Sequence, residues 1–241
     1  MKYELYKGNC WEILPKIADH SIDFVITDPP YEFKGGGFGG RGKFGERAFK
    51  AEIQHNKLFH DIEFDAERLM NEIERLCKKV NCVIFGTEPM MNKLMNYCEE
   101  KGYKYNLTIW LKTNPVPTTN QHYLNDVEYA ISIRQKGCQM YGNYYTLSKV
   151  YESEVNKRDK ELYKHPTIKP VSLIKKYIIN HSKQNDTVLD MYMGTGTTGV
   201  ACLSLNRRFI GMEISDKYYD IAAHRIDEEN QQKDLFIQEL G

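Results

Sequence analysis

The chain has 241 residues, 33 Lys+Arg against 33 Asp+Glu, 41% hydrophobic and 27% charged residues, 17 Gly and 8 Pro, which excludes collagen-like and disordered classes. A chain of this length can bury roughly 70–75% of its unfolded surface, so a single domain over residues 1–241 is expected. Zero net charge argues against indiscriminate coating of nucleic acid and directs attention to locally basic segments.

In chain order, strands are predicted at 23–27, 80–85, 103–111, 127–133, 187–191 and 208–212, and helices at 65–79, 89–101, 170–183, 197–206 and 215–229. The 187–191 strand is apolar up to Asp190 and reads as buried. The 127–133 strand alternates Val127, Tyr129, Ile131 and Ile133 with smaller or polar residues and reads as half-exposed or an edge. Strands alternating with helices predict a doubly wound, parallel α/β sheet. No run of 18 apolar residues occurs and the start, Met1 to Glu4, has no leader pattern, so a cytoplasmic protein with no membrane partner is expected. The six cysteines, Cys10, Cys77, Cys82, Cys98, Cys138 and Cys202, lack zinc-site spacing and read as structural thiols.

Two polar segments interrupt the pattern. Residues 34–57 hold seven glycines and the cations Lys34, Arg41, Lys43, Arg47, Lys50 and Lys57 against Glu46 and Glu52, predicting a mobile basic loop. Residues 139–164, rich in Tyr and Lys, read as an insertion.

The stretch TVLDMYMGTGTTGVA at 187–201 is a strand running through Gly194, Gly196 and Gly199 into a helix. This GxGxxG spacing lets backbone approach a ligand, and Glu213, ending the next strand, can accept from two ribose hydroxyls. A dinucleotide would use the same glycines to seat a pyrophosphate. Asp190 decides against it, because a carboxylate there repels a pyrophosphate and suits a cationic amino group. S-adenosylmethionine, with its ammonium and sulfonium, fits better than NAD; a purely structural glycine turn is the third reading.

Asp28, Pro29, Pro30 and Tyr31 follow the first predicted strand, where open α/β sheets hold ligands. The prolines remove two N–H donors and leave carbonyl acceptors. With Asp28 as a further acceptor and Tyr31 as a flat face, the set suits an exocyclic NH2 on a planar base. Accepting that amine's protons frees its delocalised lone pair towards an electrophilic methyl, and stacking on Tyr31 would hold the base outside a duplex.

The order Asp28-Pro29-Pro30-Tyr31, then His165-Pro166-Thr167-Ile168-Lys169-Pro170, then Asp190 to Gly196 resembles the beta class of DNA amino-methyltransferases. Trp110, Lys112, Asn114 and Pro115 resemble a further family motif. The resemblance implies a circularly permuted, mostly parallel, seven-stranded Rossmann-like methyltransferase sheet with the cofactor half at the C-terminus. It places S-adenosyl-L-methionine on Asp190, Glu213 and the Gly194/Gly196 turn, with His165, Thr167 and Lys169 at the methionine end and Lys169 on its carboxylate. Asn9, Cys10, Asp28, Met191, Thr197 and Thr198 complete the implied cofactor set. Asp28, Pro29, Pro30 and Tyr31 would hold the target amine and base, and Lys34, Arg41, Lys43, Arg47 and Lys50 the DNA.

Two departures stand out: Met191-Tyr192 where the family commonly has Pro-Phe, and Asn9 where it usually has Asp. The implied reaction is methylation of adenine N6 in a short double-stranded DNA site, with cytosine N4 as the alternative, because Asp rather than Ser opens the tetrapeptide. Rivals are RNA or protein amine methylation and NAD chemistry. No metal is implied, a homodimer and a cognate restriction endonuclease accord with the family, and the host is bacterial or phage. Trp110 and Tyr129 read as core residues, and His20, His55, His60, His122, His181 and His224 as structural or surface residues.

Overall fold

The computed structural model describes residues 2–30, 64–115, 123–163 and 168–239. Its strands are β1 (Tyr3–Lys7), β2 (Phe24–Thr27), β3 (Asn81–Gly86), β4 (Lys104–Lys112), β5 (Val127–Arg134), β6 (Val150–Ser153), β7 (Thr187–Asp190) and β8 (Arg208–Glu213). The helices are α1 (Cys10–Ile13), α2 (Ala66–Leu76), α3 (Glu88–Lys101), α4 (Lys157–Tyr163), α5 (Val171–His181), α6 (Thr197–Ser204) and α7 (Asp216–Glu239).

The strands form one sheet in the order β1-β8-β7-β2-β3-β5-β4-β6. Strand β1 pairs in parallel with β8, bringing the chain's first strand beside its last, as a permuted order with a C-terminal cofactor half requires. The described residues contain eight strands rather than seven. The eighth, β6, lies within the expected 139–164 insertion and pairs in parallel with β4. Strand β5 is interior, antiparallel to both β3 and β4, which corrects its reading as an edge. Ala130 to Ile133 are buried, while Val127 to Tyr129 open towards the site end, so the half-exposed pattern marks a strand end.

Helices cover both faces, and the two-residue period of the strands divides the core. Val25, Ile84 and Leu189 point into one cluster with Leu69, Met70, Ile73 and Leu94 from α2 and α3. Phe24, Ile26, Val83 and Val188 point into the other, with Leu173, Ile178, Ala201 and Ile226 from α5, α6 and α7. Helix α2 starts on Asp65, whose side chain accepts from Arg68 N, and α3 ends on Gly102 in the left-handed region, as start and stop chemistry dictates. No helix among the described residues is long and apolar enough to cross a membrane.

The chain leaves β7 towards β8 and leaves β2 towards β3, so the adjacent β7 and β2 form the switch point where an open α/β sheet places its ligand crevice. The 139–164 segment divides about this axis. Tyr141 N donates to Asn180 O and Asn180 Nδ2 to Thr146 O, seating residues 141–146 at the far, C-terminal end of α5, while α4 returns to the crevice end.

Candidate active site

At the switch point the carboxylate of Asp190 is buried between two strand ends. Thr27 Oγ1 donates to its Oδ1 at 3.1 Å, Tyr192 N to the same oxygen at 3.1 Å, and Thr198 Oγ1 to Oδ2 at 2.6 Å. Burial pushes the Asp190 carboxyl up to about 6, the three donors pull against this, and neighbouring Asp28 adds to the rise.

At the end of β8, Glu213 is fixed by backbone: Gly194 N donates to Oε2 at 3.0 Å and Ser215 N to Oε1 at 2.8 Å. Burial raises its pKa and these N–H groups counter the rise. Gly196 caps α6 at φ +81°, and a Cβ there would lie 2.9 Å from Ala222 Cα; only glycine permits both that conformation and that approach. Arg225 of α7 braces the turn, its Nη1 donating to Thr195 O at 2.6 Å and Thr195 Oγ1 at 3.0 Å. Its guanidinium lies 4.3 Å from the Tyr163 ring centroid, joining the end of α4 to the glycine turn.

On the β2 side, Asp28 follows Thr27 and meets Lys169, whose Nζ lies 2.5 Å from Asp28 Oδ2 and 3.2 Å from Glu128 Oε2. Glu128 Oε1 also binds Lys112 Nζ at 2.8 Å. Burial would push the Glu128 carboxyl up, but Lys169 and Lys112 outweigh it and hold it at about 2. Pro29 is buried beside this cluster in sequence, and Pro30 half-buried.

Several expected site residues take different places. Lys169, expected on a methionine carboxylate, sits on Asp28 and Glu128 because β2 and β5 bring two carboxylates to it. The Met191 side chain is 1% exposed and belongs to the core with Leu189 and Met212. Cys10 is 4% exposed in the same cluster, and burial raises its thiol. The Asn9 side chain caps α1, accepting from Trp11 N at 3.1 Å, a task an amide performs as well as a carboxylate. Thr198 acts through Asp190, and Thr197 Oγ1 accepts from Arg225 at 3.4 Å. Tyr31, Lys34, Arg41, Lys43, Arg47, Lys50, His165 and Thr167 lie outside the described residues.

The expected core residues are core: Trp110 is 2% exposed and its Nε1 donates to Ser153 Oγ, and Tyr129 packs against the cluster under α2 and α3. His181, buried and stacked on Phe24 at 4.9 Å, is held between Asn81 and Ser132. Sequence reading missed Thr27, Glu128 and Arg225. The available signal for Glu128 was an acid inside a predicted strand, two residues before a fully buried run.

The donor set fits S-adenosylmethionine. Two carboxylates, Asp28 and Asp190, end adjacent strands, and the one pushed up to about 6 gains from a cationic ligand. Glu213 stands one strand further, at the reach of a ribose.

The family model for DNA methylases (N6 and N4 methyltransferases) matches residues 22–224. The chain is 29% identical to the Type II methyltransferase M2.LlaDCHI of Lactococcus lactis subsp. cremoris, over 92% of this chain and 88% of that protein. It is 28% identical to M2.DpnII of Streptococcus pneumoniae, over 95% and 91%. The crystal structure of the M1.HpyAVI complex with S-adenosylmethionine superposes with a TM-score of 0.67 at 26% identity, covering 92% of this chain and 99% of that one. The cytosine-N4-specific PvuII DNA methyltransferase shares the fold, with a TM-score of 0.68 at 14% identity over 96% and 92%. With the acid-lined switch point, the glycine turn and these likenesses in agreement, the chain belongs to the DNA methylase family as an S-adenosylmethionine-dependent, site-specific DNA methyltransferase.

Proposed function

We propose that this methyltransferase modifies the exocyclic N6 of adenine in a short duplex sequence, with the target base turned out of the helix. The observation that carries the reading is the position of Asp28: it leaves β2 at the switch point, beside Asp190, with one oxygen engaged by Lys169. Its other oxygen is the acceptor for the target amine, and the Pro29-Pro30 backbone, lacking N–H donors, offers carbonyls as well. Tyr31 stacks on the base.

Asp190, Glu213, the Gly194/Gly196 turn, Thr197, Thr198, His165 and Thr167 form or shape the cofactor pocket. S-adenosylmethionine supplies there a methyl on a cationic sulfur, which the amine lone pair takes as the S–C bond breaks and its electron pair returns to sulfur. Asp28 stabilises the positive charge growing on the amine, and the surplus proton leaves to Asp28 or water. Lys34, Arg41, Lys43, Arg47 and Lys50 grip DNA phosphates. Type II relatives from bacteria support a cytoplasmic setting, in a bacterium or a phage-infected cell, and a cognate endonuclease; family habit supports a homodimer.

A second reading, cytosine N4, is kept by the shared fold of the PvuII enzyme, because the amine chemistry is common to both bases. Incubation with labelled S-adenosylmethionine and methylation-free genomic DNA, followed by sequencing that distinguishes the modified bases, tests both. Methyladenine in one short recurring context is expected. Label on cytosine overturns the base assignment, and absence of label with intact cofactor binding overturns the catalytic reading.

A further inference from the structure

A half-buried acid on β5 meets the target-amine acceptor through a lysine. Glu128 receives Lys112 at 2.8 Å and Lys169 at 3.2 Å, and Lys169 in turn bonds Asp28. Lys169 also lies 4.9 Å from the Phe85 ring centroid, and Lys160 of α4 faces the same cluster, its pKa lowered by burial, raised by Glu128, and lowered by Lys112 and Lys169. The cations around Asp28 thus come from β4, α4 and the segment before α5.

Methyl transfer moves positive charge from the departing sulfur onto the amine nitrogen held by Asp28. An uncompensated ammonium on Asp28 would cancel the carboxylate that favours that charge. The geometry points to Glu128 as a positioning residue for methyl transfer: it holds Lys169 and balances its charge, so that Asp28 keeps both its orientation and its negative field at the target amine. This rests on Asp28 being the amine acceptor.

The test is single-turnover methylation at saturating cofactor and DNA. Glu128→Asp, which keeps the charge and shortens the arm, is compared with Glu128→Gln, which keeps the shape and loses the charge, and Asp28→Ala is run alongside. The expected loss for Glu128→Gln is about ten- to hundredfold in the methylation rate, the size of one charge acting across several ångströms at an effective dielectric constant of roughly 20. KM for DNA, cofactor Kd and Tm should stay near wild type, and Glu128→Asp should retain more activity than Glu128→Gln. A Gln variant as active as the Asp variant, or a loss that follows Tm or cofactor Kd, overturns the inference. If the single variants do not fold, the double variant Lys112→Met/Glu128→Gln, which removes one charge of each sign, decides. Activity close to wild type supports a charge role, since the double variant restores the cluster's net charge, and a folded double variant that loses about tenfold or more overturns it. Activity retained by Asp28→Ala defeats the amine-acceptor reading itself, whereas an inactive Asp28→Ala beside an unaffected Glu128→Gln defeats only the role of Glu128.

Discussion

Thr27 Oγ1 donates to Asp190 Oδ1 at 3.1 Å, joining the last residue of β2 to the last residue of β7. This bond spans the switch point and ties the β2 side of the crevice to the β7 side. Thr27 is 1% exposed, so Thr27→Val preserves shape in a strand that favours β-branched residues and removes only the donor. Losing a hydrogen bond to a buried carboxylate costs about 1.5–3 kcal/mol, which disfavours the ionised Asp190 that a cationic ligand needs. Cofactor affinity should fall roughly tenfold or more by that magnitude, and calorimetric titration measures it. Unchanged affinity would show that Asp190 does not hold the cofactor's cation.

The pH dependence of cofactor binding follows from Asp190, whose carboxyl is pushed up to about 6 by burial. The cofactor's cation favours the ionised form, so the bound-state pKa lies lower. Affinity is therefore constant above pH 6 and falls as pH drops through 6, by about tenfold per unit until the bound-state pKa is reached. The folded pKa without cofactor also exceeds the unfolded value of 3.8. Asp190's contribution to stability is thus fully present below pH 3.8 and lost as pH rises through 6, where the cofactor restores it. The cofactor-induced rise in Tm should be larger at pH 7 than at pH 5. An equal rise at both would contradict the assignment.

Gly196→Ala tests the glycine turn. The left-handed conformation costs about 1–2 kcal/mol for a residue with a Cβ. The 2.9 Å approach to Ala222 Cα meets backbone of α7 rather than a flexible side chain, adding about 1–3 kcal/mol of overpacking. Chemical denaturation should show a loss of about 2–5 kcal/mol, with cofactor binding lost at temperatures where the variant is still folded. A stability change within experimental error would mean that α7 shifts freely, and would remove the turn's rigidity from the account.

The parts of this fold governed by local pattern were legible. Strands at 23–27, 80–85 and 187–191 lie in interior or parallel positions and read as short apolar runs bounded by polar residues, and the glycine spacing located the turn. What escaped was set by partners distant in sequence. β6 forms because Val150 to Ser153 find the open edge of β4, and β1 because β8 offers it a parallel partner; neither has the strength to announce itself alone. Met191 follows a catalytic-looking aspartate in sequence but points into the core, since side chains alternate across a strand and its end. Glu128 and Lys169 meet only because β5 runs antiparallel, bringing its start to the crevice. A carboxylate that matters through a lysine 41 residues away leaves no local signature.

The DNA-contacting segment can be tested through salt. Arg41, Lys43 and Arg47 lie in a stretch with six basic residues and two acids that follows the DPPY tetrapeptide in sequence. Each phosphate neutralised releases counterions and contributes about −0.9 to the slope of log K against log salt. Replacing Arg41, Lys43 and Arg47 by Gln keeps the chain's length and should make the slope shallower by roughly 2–3. Cofactor affinity should be unchanged, because the proposed cofactor pocket is built from β7, β8 and α6. Because phosphates carry no sequence information, the three replacements should weaken binding to cognate and unrelated duplexes alike. A slope equal to wild type would take this segment out of the interface, and a loss confined to cognate DNA would make it a reader of bases.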